Sequence, residues 1–198
     1  TQPPATIEEP QEMTQEPATE DSDEPETQEP GGTEKGETSD GGAGETAQIS
    51  DELLGKVYTA VKEAYGEKYV PGMMFDEAML EGTFGISKDQ YDSYVAEGPM
   101  ISVHVETFVG IKAKEGKAGD VAKELEAYRK KQIEEAVQYP MNMTKLEASQ
   151  VITHGDYVFF VMLGGADMEA EEQGADAALK SAKENNQIAV DVIAGFFK

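Results

Sequence analysis

An α+β fold is predicted, with an antiparallel sheet of about three strands in the order 1-3-2, helices packed mainly on one face, and a disordered acidic tail in front. Three observations predict it. Composition breaks sharply near residue 47. Two stretches, Ile101–Lys114 and Tyr157–Leu163, read as strands, one by alternation and one as an unbroken apolar run. Between and around them, apolar residues recur at helical spacing.

Residues 1–47 hold 14 of the 40 acids and one base, Lys35, for a formal charge of −13, with six prolines, six glycines and no aromatic residue. Such a stretch cannot bury enough apolar surface to offset chain entropy, and its charges repel. It is predicted to be a disordered tether, stiffer to about Pro30 and looser from Gly31 to Gly44, spanning roughly 35–40 Å as a random coil. Residues 48–198 carry every Tyr and Phe and are predicted to form a single globular domain.

In that domain Ser50 is the expected N-cap of a first helix through Leu53, Leu54, Val57, Val61 and Tyr65, stopped by Gly66. Pro71-Gly72 is a turn. Asp76 is expected to cap a short helix ending at Gly82 or Gly85. Ser87-Lys88-Asp89-Gln90 fits a capping box and predicts another short helix through Tyr91, Tyr94 and Val95. Ile101, Val103, Val105, Thr107, Val109, Ile111 and Ala113 alternate with mostly polar residues, which predicts one long half-buried strand. A helix follows from about Gly119 to Tyr139, with Val121, Ala122, Leu125, Tyr128, Ala136 and Val137 inward and Pro140 closing it. Ser149–Thr153 and Tyr157–Leu163 form the next strands around a His154-Gly155-Asp156 turn. The run from Tyr157 to Leu163 is apolar on both sides of its pleat, which predicts a central, covered strand. A final helix covers roughly Asp176–Phe197.

Composition also excludes function classes. The chain of 198 residues has a net charge of −24, so nucleic acid is not an expected partner and the domain itself is not expected on an anionic lipid surface. Without cysteine it has no disulfide, Zn–thiolate site, iron–sulfur cluster or thiol nucleophile. No apolar run approaches 18 residues.

Several stretches carry a resemblance: Phe84-Gly85-Ile86 with Asp89-Gln90-Tyr91-Asp92-Ser93-Tyr94, Gly110–Lys117 ahead of a Lys/Glu-rich helix, and Gly155-Asp156-Tyr157-Val158 leading into an apolar strand. On these residues, positions 50–198 resemble a family of small domains of unknown function found in lipoproteins of Gram-positive, gut-type bacteria. The resemblance implies export, a low-complexity spacer and an N-terminal lipidated cysteine, so a lipid anchor is expected upstream of Thr1. It supplies no catalytic residues.

The candidate chemistry is sparse. His104 and Glu106 lie two apart on the polar side of the expected long strand, roughly 7 Å from each other, too far to share one metal. His154 reads as a turn residue. Asp156 beside Tyr157, Glu81 and Asp92 are carboxylates that nothing selects over others. Glu20-Asp21-Ser22-Asp23-Glu24 lacks the glycine and distal glutamate of a calcium loop. Glu115-Gly116-Lys117-Ala118-Gly119 lacks the phosphate-loop pattern. Asn142-Met143-Thr144 matches a glycosylation acceptor by letters only. Met73, Met74, Met79, Met100, Met141 and Met143 sit near breaks between elements, where Met serves binding surfaces or irregular packing. Tyr65, Tyr69, Tyr91 and Tyr94 read as groove lining or core, and the stripe ending Phe196-Phe197 as a docking or inner helix face.

No catalytic, cofactor-binding or metal residue is therefore assigned, and no cofactor is expected. The reading is a non-enzymatic, extracytoplasmic domain at the cell surface, with a binding or envelope-structural role. The alternatives are an envelope hydrolase using paired carboxylates and a cytoplasmic acidic protein that engages basic partners. Deleting residues 1–47 is expected to leave the thermal midpoint of the domain unchanged. A large fall in the midpoint, measured by circular dichroism, would mean that the segment packs on the domain.

Overall fold

The computed structural model describes residues 49–135 and 137–198. The tether predicted for residues 1–47, and Ala136 of the predicted long helix, lie outside the described residues.

Helix α1 spans Glu52–Tyr65. Its cap is Asp51, whose carboxylate accepts from the Leu54 amide at 2.8 Å, one residue later than expected. The amide of Ser50 instead donates to Ser93 Oγ. A 3-10 turn, Gly66–Lys68, leads to the two-residue strand β1, Met73–Met74, which was not predicted. Helix α2, Glu77–Phe84, begins at Asp76 and stops at Gly85 with φ 75°, as the sequence indicates.

The next segment corrects the sequence reading. Tyr91–Gly98 is strand β2, not a helix. The contact that suggested a helix cap does form: the Ser87 amide donates to Gln90 Oε1 at 2.8 Å, as in a capping box. Here it closes a turn, with the Gln90 amide donating to the Ser87 carbonyl, and the chain then runs extended. Pairing with strand β3, Thr107–Ala113, overrides the local signal. The predicted long strand is also shorter than its alternation. Pairing ends at Thr107, opposite Met162, so Ile101–Glu106 continues the pattern but lies in the β2–β3 connection.

Helix α3 covers Ala118–Glu135, so it stops short of Tyr139, and Val137, expected on its inner side, lies beyond it and is fully exposed. Pro140 does not close it but opens helix α4, Pro140–Ala148, at the first position, where its fixed φ suits a helix start. Strands β4, Gln150–His154, and β5, Tyr157–Met162, form the predicted hairpin. A short helix α5, Met168–Gln173, occupies the acidic stretch read as a loop, and α6, Ala175–Gly195, is the predicted last helix.

The sheet has five strands, all antiparallel, in the order β1-β2-β3-β5-β4. The three predicted strands keep the order 1-3-2 within it, and β2 and β1 extend it on one side. Helices cover both faces, which corrects the expectation of one. On one side Val158, Phe160 and Met162 of β5 pack with Leu80 and Phe84 of α2 and Val121 and Leu125 of α3. On the other, Phe159, Val161 and the following Leu163 pack with Leu54, Val57 and Val61 of α1 and Ala189 and Ile193 of α6. A strand apolar on both sides of its pleat requires two covers. Gly110 of β3 permits this closeness, since a Cβ there would lie 2.9 Å from Leu54 Cδ1.

Two buried tyrosines tie the layers. Tyr65 donates to the Asn185 carbonyl of α6 at 2.7 Å, and Tyr94 donates to the Phe75 carbonyl at 3.2 Å. Burial pushes the pKa of each hydroxyl up to about 12, from an ordinary value near 10.0.

Replacing Phe160 by Asp is expected to prevent folding, because an unpaired buried charge costs as much as the ~5–15 kcal/mol that holds a domain together. A native-like circular dichroism spectrum for Phe160→Asp would contradict the covered-strand placement. Alkali provides a second test. A hydroxyl whose folded pKa is raised contributes fully below its unfolded pKa, and that contribution disappears as pH rises through the folded value. Urea stability is therefore expected to fall between pH values of about 10 and about 12, as Tyr65 and Tyr94 ionise in the ultraviolet titration.

Candidate functional site

Both ends of the β2–β3 connection are held by buried glutamates. Glu97, the penultimate residue of β2, accepts from the Tyr69 hydroxyl at 2.7 Å and lies 3.6 Å from Lys62 Nζ of α1. Glu106, just before β3, accepts from Lys145 Nζ of α4 at 2.6 Å, with side-chain exposures of 5% and 10%. Its second oxygen accepts from the Val105 amide at 3.1 Å and lies 3.7 Å from His104 Nδ1.

Helix α4 grips this connection twice. Asn142 and Lys145, one turn apart, share a face. Asn142 is wholly buried, and its Nδ2 donates to the Val103 carbonyl at 2.9 Å and to Gln138 Oε1 at 3.2 Å. Its Oδ1 has no partner among the described residues. The Lys145 stem reaches Glu106 across Gly165, where a Cβ would sit 2.8 Å from Lys145 Cε. Gly164, with φ 69°, turns the chain after β5 and leaves room for Asn185. Gly165 therefore leaves the space through which the Lys145 stem runs to Glu106.

The connection so held presents apolar side chains to solvent. Ile101 and Val103 in it, and Val137, Tyr139 and Met141 at the start of α4, are between 43% (Val103) and 100% (Val137) exposed. Two grooves meet along this strip. One, of about 510 Å³, runs between Val103 and Tyr139. The other, of about 450 Å³, runs from Tyr139 and Met141 to Ala175 and Ala178, and the two share Tyr139 and Pro140. On the other side of Glu106 lies a mixed cleft of about 670 Å³ between Tyr65, Lys68, Gly164, Asp167 and Asn185.

The candidates read from sequence fall elsewhere, or differently. Glu106 is buried in an ion pair rather than solvated on a strand face, and His104 leans on it from a loop. His154 ends β4 and stacks on Phe197, ring centroids 4.7 Å apart and 3° from parallel. Asp156 sits in the hairpin turn, 3.2 Å from Lys112. Glu81 and Asp92 are exposed on α2 and β2. No three of the Asp, Glu and His side chains among the described residues converge as a metal site requires. The tyrosines divide between the two sheet faces, Tyr91 and Tyr94 on one and Tyr65 and Tyr69 on the other. The methionines divide as well: Met79 and Met143 pack against one core and Met74 against the other, while Met73, Met100 and Met141 stay exposed. The stripe of the last helix divides: Ala189 and Ile193 are buried and Phe197 packs on Tyr157 and Phe159, while Ile188 and Phe196 stay exposed. Asn142, noted only as a glycosylation letter, is fully buried. Sequence reasoning missed Glu97, Lys145 and Asn142. The one signal was Gly164-Gly165, a pair permitting close backbone approach.

No helix among the described residues is long and apolar enough to cross a membrane. The profile of a family described as a domain of unknown function, DUF4358, matches residues 64–163, a span that includes the whole sheet, both buried glutamates, Asn142 and Lys145. No curated protein and no solved structure matches the chain.

Removing either partner of the Glu106–Lys145 pair leaves an uncompensated buried charge, so Glu106→Gln or Lys145→Met is expected to lower urea stability by about 3–5 kcal/mol. The double variant Glu106→Leu with Lys145→Met is expected to regain most of that loss. Additive losses in the double variant would mean that the two groups do not act as a pair.

Proposed function

The chain belongs to the DUF4358 family, a domain of unknown function, and from that premise we propose that its globular part is a non-catalytic binding domain. Its docking face is the apolar strip along Ile101, Val103, Tyr139 and Met141, and the domain is displayed outside the cytoplasm by a lipid-anchored, acidic tether. One observation carries the reading. The β2–β3 connection keeps apolar side chains in solvent although buried polar contacts at Glu97, Glu106 and Asn142 hold it in one conformation. Buried ion pairs cost desolvation and return little net stability, and a use consistent with that cost is to fix a loop for recognition. The composition of residues 1–47, acidic and rich in Pro and Gly, suits a spacer that keeps the domain clear of a surface. Nucleic acid is not the partner, since the excess of negative charge repels phosphate.

A hydrolase reading has one point in its favour, the imidazole of His104 beside the buried Glu106. Glu106 already accepts from Lys145 and from the Val105 amide, which suits a structural role better than an acid–base one.

Two measurements test the proposal. Ile101→Ser combined with Val103→Ser is expected to cut the fluorescence of bis-ANS on the folded domain by about half, because contiguous exposed apolar surface is what the dye reports. Unchanged fluorescence would remove the strip as a docking face. Protease added to intact cells of the source organism is expected to cleave within residues 1–47 and release the domain. Its full protection until lysis would overturn surface display.

A further inference from the structure

Resting on the reading of the apolar strip as a docking face, we propose that its occupant is a basic peptide segment of a partner protein, anchored by apolar side chains in the groove between the start of α4 and the α5–α6 junction. The groove, of about 450 Å³, is walled by Tyr139 and Met141 on one side and deepened on the other by the small residues Ala175 and Ala178. That space is in the range that takes a ligand's apolar groups with most of their surface removed from water. Apolar walls alone do not name an occupant. The charge around them does.

Glu171 lines the groove. Glu169 and Glu172 share its short helix, and Asp176 stands in the first turn of α6 beside Gly174, which also lines the groove. All four are exposed, and none has an ion-pair partner among the described residues. Helix α5 contains no Lys or Arg, and the one cation of α4, Lys145, is turned inward to Glu106. The helix dipole accounts for Glu169, Glu171 and Asp176 in helix first turns, but Glu172 stands near the C-terminal end of α5, where negative charge is unfavourable. Exposed carboxylates set around an apolar slot complement Lys or Arg flanking an apolar anchor. The same charge argues against the other occupants. Residues 1–47 carry −13 and a second copy of the chain −24, so both would be repelled, as would an anionic membrane.

The test uses the full chain, isotopically labelled, titrated with a synthetic peptide of Lys-Leu-Lys-Phe repeats and followed by amide chemical shifts. Two control peptides carry Ser or Glu in place of each Lys. The Lys peptide is expected to shift the amides of Met141–Thr144 and Gly174–Ala178, and to bind more weakly as salt rises. Ala175→Trp fills the slot without changing charge and is expected to abolish binding. Glu169→Gln, Glu171→Gln and Glu172→Gln together are expected to weaken it about tenfold. Equal binding of the Lys peptide to Ala175→Trp would overturn the proposal, since attraction to acidic surface anywhere would then suffice. Equal binding of the Ser peptide in the groove would overturn the basic partner while leaving the docking face intact. Absence of groove shifts with every peptide would also overturn it, and the dye measurement on Ile101→Ser with Val103→Ser then judges the face separately.

Discussion

The fold depends on a single constraint, the need to cover β5 on both sides. Val158, Phe160 and Met162 face one way, Phe159, Val161 and the adjoining Leu163 the other, and all six are essentially excluded from water. Each such side chain gains about 1.5–3 kcal/mol from burial, so neither set can be left exposed. One helix layer cannot satisfy both sets. The chain therefore supplies α1 and α6 on one face and α2, α3 and α4 on the other, with β3 beside β5 in the middle of the sheet. Gly110 completes the arrangement by leaving space for Leu54 and Phe159 to meet where a side chain would separate them.

The ends of the sheet follow a different rule. At the β2–β3 end the chain buries Glu97 and Glu106 and satisfies each with a cation and a further donor. Buried ion pairs return little net stability over a hydrophobic pair of similar volume, so stability alone does not explain them. What the pairs achieve is position. They hold both ends of a connection that pairs with no strand, and Asn142 grips its middle through the Val103 carbonyl. Gly165 belongs to the same device, because the Lys145 stem runs where a side chain on Gly165 would stand.

That device bears on function more than any single reactive group does. The apolar strip it supports borders helix α5, whose carboxylates have no ion-pair partner among the described residues. On the proposed reading, strip and carboxylates together form a surface that would sort partners by charge before it buries apolar area.

Much of this was legible in the residues. The order of the three core strands, the covered β5, the Asp76 cap and the Gly85 stop, and the last helix all rest on local chemistry: periodicity, side chains that cap their own backbone, and a glycine free to take positive φ. Tertiary pairing decided the rest. Ser87 and Gln90 make the same hydrogen bond in a turn as in a helix cap, so only the presence of β3 makes Tyr91–Gly98 a strand. The alternation from Ile101 runs on past Thr107, but alternation cannot supply a neighbour, and β5 ends at Met162. Glu106 and Lys145 stand 39 positions apart, and nothing in either one's local sequence distinguishes a buried partner from a solvated charge. By itself the sequence determined which residues must leave water and where the chain must turn, because those preferences act over a few neighbours. Which strand finds which partner, and which charges are buried together, was decided only when distant segments met, because those energies exist only between groups in contact.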